Sequence, residues 1–174
     1  MGWSCTFLLI RDGDPEDVAA RLGGRLGSEE FTAEQATTGE APGPTVGPLV
    51  NGWLVVTDRN IQVFEDALVA GMSRSGQILA YFIEEHVMTS SAISWRDGIM
   101  EWSLTYDEGK LTATGDVPGV PDGEGDEFDA PADVIHSLTG WSYDDEHEGL
   151  PFRPILGLPA ERPKRRRRWA RRRS

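Results

Sequence analysis

The feature that most restricts the fold is a series of short apolar runs, separated by tight-turn signals, between residues 78 and 115. Asp97-Gly98 stands between two of these runs, and such a pair is typical of a two-residue hairpin turn in which both residues take a positive φ. The run after it alternates apolar and polar positions, so one of its faces should be buried. Its apolar positions are Met100, Trp102, Leu104 and Tyr106. A turn at 107–109 leads into Lys110–Gly115, which we predict to be an edge strand.

Further strand and helix signals surround this segment. Residues 3–10 and 52–57 are predicted strands. Asp14-Pro15 should begin a helix, because the aspartate side chain can cap it and proline suits its first turn. Apolar residues at helical spacing predict a second helix over 61–68 and a third over 131–139. The order β-α-β-α-β-β-β-β-α predicts a single α+β domain, a mainly antiparallel β-meander with two to three helices packed on one face.

The remaining segments show no regular pattern. We assign residues 1–141 to the α+β domain and predict that 27–52 and 116–129 are flexible loops within it, because glycine, proline and charged residues dominate them. Residues 142–161 are predicted to be an irregular C-terminal segment. Residues 162–174 are predicted to be a disordered basic tail, since they contain almost no apolar residues.

Charge is distributed unevenly along the chain. All 29 acidic residues precede position 162, where they are accompanied by eight basic residues, whereas the last thirteen residues contain nine Lys and Arg and no acid. The sequence pI of about 4.6 therefore averages an acidic body and a basic tail. Such asymmetry bears on binding partners rather than on fold.

The expected cellular compartment follows from three observations. Cys5 is the one cysteine, so no disulfide can form within the chain. Residues 1–10 have no basic n-region, and charged residues follow where a signal-peptide cleavage site would lie. No apolar run has the length needed to cross a bilayer. We therefore expect a cytoplasmic protein without a transmembrane segment.

Several short motifs between residues 5 and 106 carry a resemblance to a known family. They are Cys5-Thr6-Phe7, Gly13-Asp14-Pro15-Glu16-Asp17-Val18, Arg21-Leu22-Gly23, Thr32, Ala36, Gly52-Trp53 and Ser73-Arg74-Ser75-Gly76. With these motifs the chain resembles a bacterial family that is classed only as a domain of unknown function. The resemblance implies a small α+β fold, implies no known activity and supplies no catalytic residues. The basic tail and the acidic loop lie outside the matching region.

The acidic stretch 116–129 is the first candidate for a metal site. Its alternating acids at 122, 124 and 126 are similar to a calcium-binding loop, since hard cations prefer carboxylate oxygens. The pattern then fails, because the sixth position is Glu127 where glycine is required and the twelfth is Asp133 where glutamate is usual. We therefore expect a solvated acidic loop without a metal. No phosphate-binding glycine motif or nucleophile elbow occurs, and we predict no cofactor.

Histidine is the next candidate for chemistry. His86, His136 and His147 do not have the spacing of zinc ligands. Glu84 and His86 alternate onto one face at a predicted strand end. Were the chain an enzyme of unrecognised class, we expect these two residues and Trp53 to line its pocket. No catalytic residue is assigned.

The basic tail brings cationic and aromatic side chains together. Its candidate contact residues are Lys164, Arg165, Arg166, Arg167, Arg168, Trp169, Arg171, Arg172 and Arg173. This combination suits nucleic acid, where cations contact phosphates and an aromatic ring stacks on bases. The alternatives are an anionic lipid surface, the acidic body of the same chain, another protein, or no dedicated partner at all.

The charge of the body gives the leading functional hypothesis. A compact acidic α+β domain with aromatic residues on its sheet predicts a non-catalytic interaction protein. It would be an inhibitor or immunity-type partner of a basic protein such as a nuclease, because negative charge attracts that partner. The alternative is a nucleic-acid-associated accessory protein anchored by the tail, and a second alternative is an enzyme of unrecognised class. The sequence leaves the oligomeric state open.

Salt dependence tests the nucleic-acid hypothesis. If residues 162–174 bind duplex DNA, about six to nine phosphate contacts give a log–log slope of affinity against salt of roughly −5 to −8. The acidic body repels the same phosphates, so the full chain should bind more weakly than the isolated tail peptide. Fluorescence anisotropy at low and physiological salt measures both affinities. A full chain that binds no duplex even at low salt contradicts the hypothesis.

Overall fold

The computed structural model describes residues 3–59, 65–120, 127–143 and 151–158. They form an antiparallel sheet with helices packed on it, which confirms the predicted α+β class. The strands are β1 (Ser4–Arg11), β2 (Arg25–Leu26), β3 (Thr45–Val50), β4 (Trp53–Asp58), β5 (Ile78–Glu84), β6 (Thr89–Arg96), β7 (Ile99–Asp107), β8 (Lys110–Gly115) and β9 (Arg153–Leu156). The helices are α1 (Pro15–Arg21), α2 (Ala33–Thr38), α3 (Asp66–Met72) and α4 (Ala130–Thr139), and a 3-10 turn (Ser73–Ser75) follows α3.

β1 lies at the centre of the sheet. It pairs antiparallel with β4 on one side and with β5 on the other. The full strand order is β2-β9-β3-β4-β1-β5-β6-β7-β8. β5 to β8 follow one another as hairpins, and β8 is an edge strand, both as predicted.

Helices cover both faces of the central strands, whereas the prediction placed them on one. Successive residues of a strand point to opposite faces, so Phe7 and Leu9 share the first face and Leu8 lies on the second face. The first face packs against α2 and α4, and the second face packs against α1 and α3. The reason is that β1 and β4 are buried along nearly their whole length. Burial of each large apolar side chain contributes about 1.5–3 kcal/mol, and both faces therefore require a cover.

Two segments that the sequence predicted to be irregular contain regular elements. The predicted flexible loop 27–52 holds α2 and β3, and α2 begins with a reciprocal capping box between Thr32 and Gln35. The predicted irregular segment 142–161 holds β9, which pairs with β3 and β2. Both segments were therefore wrongly predicted to be irregular throughout. Elements this short show no periodicity in the sequence, and the strands among them depend on pairing with distant residues.

Local residues cap the helix ends, and the start predicted at Asp14-Pro15 is confirmed. The Asp14 side chain accepts hydrogen bonds from the backbone N–H groups of Glu16 and Asp17, at 3.1 and 2.9 Å, at the start of α1. α4 ends at Gly140, whose φ of +71° is typical of a helix-ending glycine. α3 corresponds to the second predicted helix, and the beginning of that predicted segment, within 60–64, lies outside the described residues.

The hairpin between β6 and β7 has the predicted two-residue turn. Asp97 and Gly98 have φ of +52° and +80°, and Arg96 pairs with Ile99. The Asp97 N–H donates to the Ser73 carbonyl and the Gly98 N–H donates to the Ser73 hydroxyl, each at 3.0 Å. Because Ser73 is buried, this turn is joined to the folded core rather than left as a free loop.

We expect Gly98→Val to lower the free energy of unfolding by roughly 1–3 kcal/mol, because a β-branched residue adopts a positive φ only with strain. A Cβ at this position would come no closer than 3.6 Å to the nearest atoms, so the loss would report backbone strain rather than a clash. Gly98→Asn is the matched control, since asparagine tolerates the left-handed region and should cost much less. Urea denaturation measures both variants. A loss below about 0.3 kcal/mol for the valine variant would contradict the assigned role of the turn.

Candidate interaction surface

The second face of the sheet becomes accessible from β5 toward β8. Directly opposite residues of neighbouring strands share a face, so the register assembles rows of side chains across these strands. Two neighbouring rows form what we call the open face. One row is Phe82, Ser91, Thr105 and Thr112, and the other is Ile93, Ser103 and Thr114. On this side α1 packs toward β2 and β3, and α3 with the 3-10 turn that follows it packs toward the β6–β7 turn end of β6. Within the open face Ser91 is buried, Phe82 and Ile93 are half-buried, and Thr112 and Thr114 are exposed.

Hydroxyl groups dominate the open face and are joined to one another. The Ser91 and Thr105 hydroxyls lie 2.9 Å apart. At the end of the same strands, the Thr89 hydroxyl donates to the Asp107 carboxylate at 2.8 Å. Phe82 places an aromatic ring beside these polar groups. An accessible face that combines an aromatic ring with hydrogen-bonding groups is suited to contact with another protein.

Carboxylates line one end of the open face. Thr89 pairs with Glu84 of β5 and hydrogen-bonds Asp107 of β7, so both acids lie at the same end of the sheet. Glu85 and Glu108 follow them in the adjacent turns and are exposed. We call these four residues, Glu84, Glu85, Asp107 and Glu108, the acidic rim.

Glu84 is the most tightly held member of the acidic rim. His86 Nδ1 lies 2.8 Å from Glu84 Oε1, and the His86 backbone N–H donates to the same oxygen at 3.2 Å. Partial burial acts to raise the pKa of Glu84, but hydrogen bonds from Ser4 and His86 outweigh it and hold that pKa below its usual value. Glu84 is therefore ionised at neutral pH and contributes a fixed negative charge.

The predicted pocket of Trp53, Glu84 and His86 is corrected by the strand register. Glu84 and His86 are brought together, but Trp53 is far from both. Trp53 pairs with Arg11 at one end of β1, whereas Glu84 pairs with Ser4 at the other end. Seven residue steps of strand separate those ends, which is about 23 Å at roughly 3.3 Å per residue. Trp53 is 4% exposed and is covered by the Arg11 guanidinium, 5.3 Å from the ring centroid. The sequence could not reveal this, because strand directions depend on pairing.

Other predicted site residues lie outside the described residues. They include the tail 162–174 with all of its candidate contact residues, together with His147 and the acids at 122, 124 and 126. His136 is exposed on α4. Among the residues that the structure describes, no group of three or more His, Cys, Asp or Glu is placed to hold a metal ion.

A cleft of about 450 Å³ lies between the end of α2 and the end of β4. Its lining residues are Ala36, Gly39, Ala41, Pro42, Gly43, Asp58 and Arg59. Arg59 donates a hydrogen bond to the Thr38 carbonyl and so connects β4 to α2. Most of the lining is small and Asp58 is 2% exposed, so the cleft is a gap between packed elements rather than a cluster of reactive groups.

The open face was missed by the sequence prediction, although a signal for it exists. Serine and threonine occupy alternate positions in three successive strands, at 89 and 91, at 103 and 105, and at 112 and 114. Alternation places each pair on one side of its strand. Only the register shows that the three pairs lie side by side on the same face of the sheet.

No family model matches the chain, and no curated protein or solved structure is significantly similar to it. The resemblance carried by the short motifs of residues 5–106 stays a prediction. In the described ranges, no helix is long and apolar enough to cross a membrane.

Cys5, the single thiol, is buried on the first face beneath the packed helices. Burial, together with the negative charge of Asp58, raises the pKa of this thiol to about 12. Its Sγ lies 3.8 Å from the carbonyl oxygens of Thr6 and Asp58. A thiol that stays protonated at neutral pH is a poor nucleophile, so Cys5 acts as a small buried residue.

We expect Cys5 to react with an aromatic disulfide reagent about 1,000-fold more slowly in the native chain than in the unfolded chain, since thiolate is the reactive form and access is blocked. Thiol release at pH 8, with and without guanidinium chloride, measures both rates. The unfolded chain is its own matched control, because it contains the same single thiol. Native and unfolded rates within about tenfold of each other would show that Cys5 is accessible and ionisable.

Proposed function

We propose that this chain is a non-catalytic binding protein that recognises a basic protein, and that the open face and the acidic rim form its binding surface. The observation that carries the proposal is the position of the acidic rim, directly beside an accessible face with a half-buried phenylalanine and several hydroxyl groups. An inhibitor or immunity-type partner of a nuclease fits this chemistry, because a nuclease presents cations where it binds phosphates.

The charges within the body favour an external partner for the acidic rim. Several bases of the described residues are paired inside the chain. The pairs are Arg11–Asp12, Arg21–Asp17 and Arg96–Glu101. Asp107 and Glu108 take part in none of the ion pairs found among the described residues. Their negative charge is therefore available to a cationic surface.

Binding would combine long-range attraction with a short-range contact. An excess of negative charge raises the association rate of a basic partner by about 10- to 1,000-fold at low salt. Screening shortens this attraction to about 8 Å at physiological ionic strength, so the complex should weaken as salt rises. Phe82 and the hydroxyl groups beside it would make the contact that is desolvated, and contacts of that kind mainly set the dissociation rate.

The test uses the full chain and the protein encoded in the adjacent reading frame, which we expect to be basic. Isothermal titration calorimetry and stopped-flow fluorescence measure affinity and association rate at low and physiological salt. The variant Glu84→Gln/Asp107→Asn/Glu108→Gln removes three charges from the acidic rim and should slow association by about tenfold at low salt. Its matched control is Glu29→Gln/Glu30→Gln/Glu34→Gln, which removes the same charge from exposed acids elsewhere and should leave the rate nearly unchanged.

Two results would contradict the proposal. One is an adjacent gene product without net positive charge, or a basic one that does not bind. The other is an equal effect of the two triple variants, which would mean that net charge rather than the acidic rim attracts the partner. Removal of 162–174 separates this proposal from the nucleic-acid hypothesis, since truncation should spare the protein partner and abolish nucleic-acid binding.

A further inference from the structure

The two edges of the sheet differ in how they are protected. β2, at one edge, has two residues and so offers little backbone for pairing. β8, at the other edge, has six residues, and all of them are exposed except the half-buried Leu111. Its pairing with β7 runs without a bulge from Asp107↔Lys110 to Trp102↔Gly115. Proline, bulges, covering segments and charged side chains are the usual protection of an edge strand, and of these the described part of β8 has only Lys110, at its start.

The turn between β7 and β8 fixes which backbone groups of β8 are unpaired. Glu108 and Gly109 form a two-residue loop with φ of +49° and +76°, and Asp107 pairs with Lys110. In such a hairpin the residues that flank the loop exchange both backbone hydrogen bonds, and every second pair beyond them does the same. The N–H and C=O groups of Leu111 and Ala113 therefore point away from β7, at the open edge.

We propose that two copies of this chain associate by antiparallel pairing of β8 with β8, with Thr112 directly opposite the second copy's Thr112. In this register Leu111 of each copy exchanges backbone hydrogen bonds with Ala113 of the other. The two sheets join into one continuous sheet, and the open faces of both copies lie on the same side of it.

Backbone geometry selects this register over its neighbour. Residues that are opposite each other must share a face, and Thr112 opposite Thr112 satisfies this requirement. A shift that centres the pairing on Ala113 would require Gly115 to pair with Leu111. Gly115 has a φ of +73°, which turns its backbone out of the extended conformation. The register centred on Thr112 uses extended residues alone.

The side chains of β8 are compatible with self-pairing. Thr112 opposite Thr112 is a favourable cross-strand pair, and Leu111 lies opposite the small Ala113 on the first face. Lys110 is the one charged residue of the strand, and it lies opposite Thr114, so no like charges meet. The net charge of −12 on each copy produces long-range repulsion, which salt reduces. Salt should therefore strengthen the dimer, whereas it should weaken the proposed complex with a basic protein.

Cysteine cross-linking tests the register in the full-length chain. Thr112→Cys places two thiols opposite each other at a non-hydrogen-bonded pair, where the Cα separation permits a disulfide. With glutathione disulfide as oxidant, we expect a covalent dimer that forms about tenfold faster than the one from the matched variant Thr114→Cys. Cys5 does not interfere, because it is buried. Equal rates for the two variants, or no covalent dimer from Thr112→Cys, would overturn the proposal.

Sedimentation equilibrium tests the association without any cross-link. The mass of the wild-type chain should rise from 19.2 kDa toward twice that value with protein concentration, and more so at high salt. Ala113→Pro removes an outward N–H that does not bond to β7. This variant should stay monomeric and keep the circular dichroism spectrum of the wild type. Its control, Ala113→Ser, should associate like the wild type. A wild-type chain that stays monomeric at millimolar concentration, or a proline variant that associates equally, would refute the dimer. A failed dimer would leave the binding of a basic partner unaffected, since that binding uses the side chains of the open face and the acidic rim and not the outward backbone groups of β8.

Discussion

The pairing of β1 on both of its sides is the constraint on which the rest of the structure depends. Its backbone is hydrogen-bonded to β4 and β5, and its side chains from Cys5 to Leu9 are buried on both faces. A strand in this position leaves no backbone group for water, so its apolar side chains must be covered from above and below. α2 and α4 provide one cover, and α1 and α3 provide the other.

The candidate surface exists because this requirement ends beyond β5. β7 alternates apolar and polar residues, so it needs a cover on the first face, which α4, Phe128 and Trp141 supply, and its second face can stay accessible. Phe82 and Ile93 are the apolar residues of that accessible face. The same strands that complete the core thus also present this half-covered surface.

Ordered negative charges distinguish one end of this surface from the other. Glu84 is held ionised by hydrogen bonds from Ser4 and His86, and Asp107 is positioned by Thr89. Fixed carboxylates at a strand end cost little entropy on binding, because they are already ordered in the free protein. The edge of β8 adjoins this surface, and within the described part of the chain the outward backbone groups of this strand have no partner strand. The two proposed interactions therefore use different groups, carboxylates for a basic partner and backbone groups for a second copy, and salt should affect them in opposite directions.

Local chemistry in the sequence determined the elements whose geometry depends on neighbouring residues alone. Asp97-Gly98 predicted its turn because positive φ is a local property, and Asp14-Pro15 predicted the start of α1. Alternation predicted the buried side of β7 correctly at Trp102 and Leu104, whereas Met100 is exposed. The tertiary structure alone decided what depends on distant pairing: that β9 joins β3, that helices cover both faces, and that Trp53 lies far from Glu84 and His86. Propensity and spacing describe one strand at a time, whereas the open face arises from the register between four strands, which is fixed by burial of the whole sheet.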